Sequence, residues 1–265
     1  MLENINLKRK LSHEEYSHAL PSLQRRLYDL ERACWQHKVP VIIVFEGWDA
    51  SGKGGAISSL SQRMDPRGFK LRPINLPRTF EQQHPWLWRF WLKTPERGEI
   101  AIFDRSWYMR VLDERVERLV PEKEWRAAYR DIVDFERMLS ADGAAIIKFF
   151  LHISKKEQKA RFQTIEKNPL ECWRLTDADW RRHRKYGKYL IATEEMLEHT
   201  ESDFAPWTIV EATSKWFARK TIFETIVAAI EMRLGEDAPP RAETAEDAAR
   251  DAELRTAMES LEEAN

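Results

Sequence analysis

Seven residues, Gly47-Trp48-Asp49-Ala50-Ser51-Gly52-Lys53, satisfy the pattern G-x-x-x-x-G-K. A loop of this kind turns its backbone N–H groups inward around phosphate oxygens and passes directly into a helix N-terminus. Its glycines allow positive φ and close approach, and Lys53 places a point charge beside a transferring phosphate. Phosphate contacts are therefore expected from Gly47, Ala50, Ser51, Gly52, Lys53, Gly54 and Gly55. The pattern departs from the usual one at Gly54, where a Ser or Thr hydroxyl would meet Mg2+. A cation must find another ligand, and Asp49 inside the loop is the candidate. A carboxylate among phosphate-binding N–H groups repels phosphate unless a cation lies between them. The competing reading has Asp49 only stabilising the turn or the helix N-terminus.

A second carboxylate ends the apolar stretch Ile-Ala-Ile-Phe-Asp at 100–104. In parallel α/β sheets ligands gather at the carboxyl ends of strands, so Asp104 should emerge beside the phosphate loop. It reads as the second Mg2+ carboxylate. Arg105 follows and can neutralise a phosphoryl group in flight, the alternative being an ion pair with Asp113 or Glu114. Arg110 is open between the same two roles.

These groups need a frame. Residues 13–36 carry Leu20, Leu23, Leu27 and Leu30 at helical spacing. The run 41–45, VIIVF, is apolar on both faces, as a strand buried between helix layers should be. Runs at 71–75, 100–104, 146–151 and 208–210 have the same character, with helical periods between them. That alternation predicts an α/β fold with five parallel strands and helices on both faces. Segment 155–200 is too long for a simple crossover, and two helices broken near Asn168-Pro169 are expected there, projecting as a lid.

The 265 residues carry a net charge of −1, which hides an asymmetry. The segment 236–265 holds 10 acidic and 3 basic residues and reads as an acidic tail, a surface helix or disorder, after a main domain at 1–235. The window 154–190 holds 11 basic and 5 acidic residues, including Arg181, Arg182, Arg184 and Lys185. A localised positive field attracts a polyanion; the bland alternative is a solvated helix face. No apolar run is long enough to cross a membrane. Two distant cysteines, Cys34 and Cys172, and the lack of a signal-peptide pattern point to the cytoplasm.

GWDASGKGG at 47–55 and FDRSWY at 103–108, with DPRGF at 65–69, WRFW at 88–91, RVLDERV at 110–116, LHISKKEQKARF at 151–162 and APWTIVEA at 205–212, resemble the polyphosphate kinase 2 family. Within it, the pattern is most similar to the polyphosphate:AMP phosphotransferase branch. Another branch has GKDG and an Asn at the place of Asp104. The resemblance covers roughly residues 10–233. It implies a P-loop kinase three-layer sandwich with a helical lid. The implied reaction is phosphate transfer from inorganic polyphosphate to AMP, giving ADP, and also to ADP, giving ATP. It further implies Mg2+, no nucleic-acid or membrane partner, and a homo-oligomer. Asp49 and Asp104 become the metal and catalytic carboxylates, Lys53 the phosphate-binding lysine, Arg105 the charge stabiliser and Arg161 a further phosphate-binding arginine.

Two other functions compete. An ATP-dependent nucleoside or nucleotide kinase would use the same loop, but the missing hydroxyl after Lys53 and the basic lid disfavour it. A non-catalytic polyanion-binding module would not need both carboxylates, Lys53 and Arg105. Trp86, Trp88 and Trp91 read as packing, His152 as a satisfied structural histidine, and Trp48 as either a wall of the site or packing. Arg63, Arg67, Arg72 and Arg78 are either surface charges or part of a polyphosphate path.

Overall fold

The computed structural model describes residues 2–240; the acidic tail expected at 236–265 falls outside them after Pro240. Helix α1 (His13–His37) leads into β1 (Val41–Gly47), α2 (Lys53–Ser61) and β2 (Phe69–Pro73). A single turn α3 (Trp88–Trp91), β3 (Ile100–Asp104), a second turn α4 (Asp113–Val116), α5 (Glu122–Ala141) and β4 (Ala145–His152) follow. The chain continues through α6 (Lys155–Lys167), α7 (Asp177–Arg184), α8 (Tyr186–Thr200), β5 (Trp207–Glu211) and α9 (Lys215–Leu234).

The strands form one parallel sheet in the order β2-β3-β1-β4-β5. β1 is central, and its residues 41–45 have no solvent exposure, which is why they are apolar on both faces. α9 packs on β4 and β5 and against α1 and α2, while α5 packs on β4 and against α8. The register sets Phe45 opposite Asp104, so the loop after β1 and the carboxylate ending β3 leave the same edge of the sheet.

Two edge details differ from the sequence pattern. β2 begins at Phe69 rather than 71, because Phe69 already pairs with Ile100 once the 65–68 turn is closed. It is also an edge strand, and Leu71 is 48% exposed. The segment 155–200 contains three helices. Pro169 follows the first break, having no N–H to continue a helix. A second break at Lys185 starts α8, which buries Tyr186, Ala192, Thr193, Met196 and Leu197. α8 is thus part of the body beside α5, whereas α6 and α7 stand over the loop after β1.

A charged group lies in the middle of the sheet. Lys148, in the middle of β4 and wholly buried, donates to Glu136 Oε2 at 2.8 Å, Tyr108 Oη at 3.0 Å and the Thr200 carbonyl at 2.9 Å. Glu136 Oε1 accepts from Trp107 Nε1 at 3.0 Å and Tyr108 Oη at 2.7 Å. All three ammonium protons are used, as a buried charge requires. Trp107 and Tyr108, just beyond Asp104, are fastened to the body by this pair.

Candidate active site

The loop after β1 has the geometry that phosphate requires. Gly47 has φ of 137°, and a Cβ there would lie 2.5 Å from the Leu151 carbonyl oxygen, so no other residue fits. Gly52 caps α2 at φ of 104° and no side chain bonds to the first turn, which leaves its N–H groups for a ligand. A cavity of about 560 Å³ opens over this loop, lined by 49–55, Asp104, Arg105 and Arg161. The Ser51 hydroxyl lines it, buried and without a hydrogen-bond partner. A second cavity of about 540 Å³ shares Asp104 and Arg105 with the first and is otherwise walled by residues 73–76, Met109, Asp113, Glu117, Leu119, Ala178, Arg181 and Arg182.

Asp49 is gripped from two sides. Arg105 Nη2 donates to its Oδ1 at 2.9 Å and Arg182 Nε to its Oδ2 at 2.5 Å. Burial opposes ionisation, but Arg105, Arg182 and Lys53 outweigh it and hold the carboxyl below its usual range. Lys53 Nζ donates to the carbonyls of Gly47 at 2.8 Å and Trp48 at 3.0 Å. Burial and the Arg105 charge lower its affinity for the proton, against the pull of Asp49, Asp104 and Glu46. Arg105 also faces Asp113 at 3.6 Å. Burial disfavours its charge, yet Asp113, Asp49, Glu46 and Asp104 together hold it more firmly protonated than a free arginine. Glu46, buried before the loop, titrates near 7, mainly through burial and despite a hydrogen bond from Ser106.

The side chain of Asp104 lines both cavities, and no hydrogen bond or ion pair from another described residue reaches it. No group of three or more His, Cys, Asp or Glu among the described residues could hold a metal. Two carboxylates with substrate phosphates completing the shell are nonetheless how Mg2+ is commonly held in phosphoryl-transfer sites. The oxygen-only donors and the unengaged Asp104 fit that mode.

Arg161 and the lid cations are placed less simply than their charge implied. Arg161 lines the first cavity, but it donates to Glu157 at 2.7 Å and to the carbonyls of Ala50 at 2.9 Å, Ala212 at 2.8 Å and Thr213 at 3.0 Å. The guanidinium expected on phosphate is engaged in holding the loop, where Ala50 has φ of 57°. Arg182 is drawn onto Asp49 and also pairs with Asp179. Lys185 pairs with Glu117 at 2.5 Å. Arg181 lines the second cavity and Arg184 is exposed. Arg110 is held by Glu114 at 2.8 Å and Glu124 at 2.6 Å, an ion-pair role. Arg67 pairs with Asp65 at the surface. Trp48 borders a small cavity with Asp49 and Arg105, and it also stacks on Tyr186 at 3.9 Å and donates to His152 Nδ1 at 2.9 Å. That bond satisfies His152, which burial lowers to about 4.

The sequence reading passed over two residues here. Gln158 on α6 donates to the Asp49 carbonyl at 3.1 Å. Arg219 on α9 brings Nη2 within 3.1 Å of the place a Gly55 Cβ would take, over the Trp216 ring. The only local signal for Arg219 is its spacing of four from Lys215 at the start of the last helix.

The chain is similar to several known proteins along most of its length. A model of the polyphosphate kinase 2 family matches residues 10–238. A polyphosphate:AMP phosphotransferase of Pseudomonas syringae is 41% identical over 237 residues, 89% of this chain and 48% of that protein. An AMP/ADP-polyphosphate phosphotransferase of Meiothermus ruber is 37% identical over 80% of each. The crystal structure of polyphosphate kinase 2 from Arthrobacter aurescens matches with a TM-score of 0.86 at 28% identity, over 96% of this chain and 92% of that one. The chain spans about half the length of the polyphosphate:AMP phosphotransferases it matches. With its phosphate loop, its parallel five-stranded sheet and its match along most of its length, the chain belongs to the polyphosphate kinase 2 family.

Proposed function

We propose that this protein transfers the terminal phosphoryl group of inorganic polyphosphate to AMP, giving ADP, and to ADP more slowly, with Mg2+. The observation that carries the reading is the pair of cavities meeting at Asp104 and Arg105, one of them floored by the phosphate loop. A transfer between two anionic substrates needs both to approach one wall of opposed charges. The names of the similar proteins fit the same substrates.

In the step, an oxygen of the acceptor phosphate attacks the terminal phosphorus of polyphosphate. The bond to the penultimate phosphate breaks, and a chain one unit shorter leaves with the electron pair. Lys53 and the α2 N–H groups hold the transferring phosphate, and Arg105 neutralises charge on its oxygens. Mg2+, held by Asp49 and Asp104, would supply further neutralisation of those oxygens. Arg182 joins the lid to Asp49, and a polyanion competing for that guanidinium would release the carboxylate. Arg161 keeps the loop in shape, with phosphate contacts left to the loop, Lys53 and Arg105. Arg181 and Arg184 are the lid cations offered to polyphosphate.

No described helix is long and apolar enough to cross a membrane, and both cysteines are free. We place the reaction in the cytoplasm and, from the family likeness, in a homo-oligomer. The test is to mix the protein with Mg2+ and AMP, ADP or GDP in turn, with polyphosphate, with ATP or with neither, and to resolve the nucleotides. ADP formed from AMP only when polyphosphate is present is the expected result. Product that requires ATP would establish the nucleotide-kinase alternative, and binding without product the non-catalytic one.

A further inference from the structure

Arg105 carries a strained backbone at the junction of the two cavities. Its φ is 62°, in the left-handed region that costs a non-glycine residue about 1 kcal/mol or more. Such a conformation persists only where the surroundings over-determine it. Before it, β3 is fixed in the sheet, and the Arg105 N–H itself donates to the Phe45 carbonyl at 3.0 Å. After it, Ser106 has no solvent exposure and donates its hydroxyl proton to Glu46 Oε1 at 2.8 Å. The same hydroxyl oxygen accepts the Tyr108 N–H at 3.3 Å. Glu46 is the last buried residue of β1 before the phosphate loop, 3% exposed. The Ser106–Glu46 bond therefore ties the end of the strand that leads into Asp49 and Lys53 to the turn that carries Arg105.

We propose that Glu46, acting through Ser106, is a positioning residue: it holds Arg105 in its left-handed conformation and so sets the guanidinium on Asp49, at the wall both cavities share. Neither residue lines either of the two large cavities; Glu46 borders only a small space of about 40 Å³ behind Asp49 and Arg105. Without the hydroxyl, Glu46 loses its donor, and the turn keeps only its anchors to β1 and the sheet before it and to Glu136 after it, with no side-chain tie at Ser106 itself. Arg105 then relaxes to negative φ, and its side chain swings away from Asp49. Loss of the Glu46 acceptor has the same effect.

The kinetic part of the test rests on the proposed phosphotransfer. Ser106→Ala and Glu46→Ala are expected to lower kcat by about 10- to 100-fold, with KM for polyphosphate and AMP changing less than about threefold. Glu46→Gln keeps an acceptor for Ser106 and should recover most of that loss. In an Arg105→Ala background, Ser106→Ala should change kcat by less than about twofold, because nothing remains to position. An equal loss in both backgrounds, or no recovery by Glu46→Gln, would overturn the proposal. A crystal structure of Ser106→Ala, or of Glu46→Ala should the first not fold, decides it without activity. Arg105 at negative φ and off Asp49 supports the proposal, and Arg105 unchanged at positive φ overturns it. A wild-type protein without polyphosphate-dependent transfer would refute only the proposed reaction.

Discussion

Lys148→Met tests the buried pair beneath the site. The substitution keeps most of the apolar stem and removes the ammonium that faces Glu136 at 2.8 Å with neither side chain exposed. Glu136 keeps its bonds from Trp107 and Tyr108 but loses its cation. Removing one partner of a buried pair typically destabilises by about 3–5 kcal/mol, since the other charge is left uncompensated. For a chain of this size that corresponds to a fall in Tm of roughly 6–20 °C. The loss should depend on pH. In the wild type burial already raises the Glu136 carboxyl, against the pull of Lys148 and three hydrogen bonds. Without Lys148 its folded value rises further, while the unfolded value stays ordinary. A raised acid contributes stability that is present at low pH and lost as pH rises toward the folded value. The variant should therefore lose up to about 1.4 kcal/mol per pH unit relative to wild type across that window. Urea denaturation followed by tryptophan fluorescence, at about pH 5.5 and 8, gives both numbers. Adding Glu136→Gln should recover stability mainly at pH 8, because the amide oxygen still accepts from Trp107 and Tyr108. A loss below about 1 kcal/mol, or one of equal size at both pH values, would show that the pair is not the uncompensated buried charge argued here.

Asp104→Asn is nearly isosteric and should lower kcat by at least about 100-fold with an unchanged unfolding midpoint; an active variant would remove Asp104 from the metal site. Reversing Arg181 and Arg184 should raise KM for long polyphosphate far more than for AMP. If about three phosphate contacts are ionic, the wild-type KM for polyphosphate should rise roughly 20-fold between about 50 and 200 mM salt, and equal salt dependence for both substrates would make the lid charges a solvated face. AMP should be phosphorylated faster than ADP at saturating polyphosphate, because a site set for one reach misplaces the other; equal initial rates would assign the chain to an ADP-using branch. His152, lowered to about 4 by burial, resists a proton that the unfolded chain takes near 6.5, so stability should fall by up to about 3 kcal/mol as pH drops through that window. His152→Asn should flatten that dependence, and a slope unchanged in the variant would assign it to other groups.

The elements were legible because their signals are local. A β-branched run before a glycine loop and a lysine reads as strand, phosphate loop and helix from spacing alone, since φ preference and side-chain period belong to each segment. Asp104 was placed at the loop for a similarly general reason, the shared exit edge of parallel strands. What each charge touches was not legible. Lys148 sat unremarked inside an apolar run, because its meaning depends on Glu136 in a helix on one sheet face. Arg161 and Arg182 look alike as lid cations, yet one turns to backbone carbonyls of the loop and the other to Asp49, 133 positions away. Gly55 and Arg219 meet only because α2 and α9 pack together. Sequence alone determined which groups could bind phosphate and which strands would carry them. Only the tertiary structure decided which cations remain for a polyanion, since burial and ion pairing come from residues far apart in the chain.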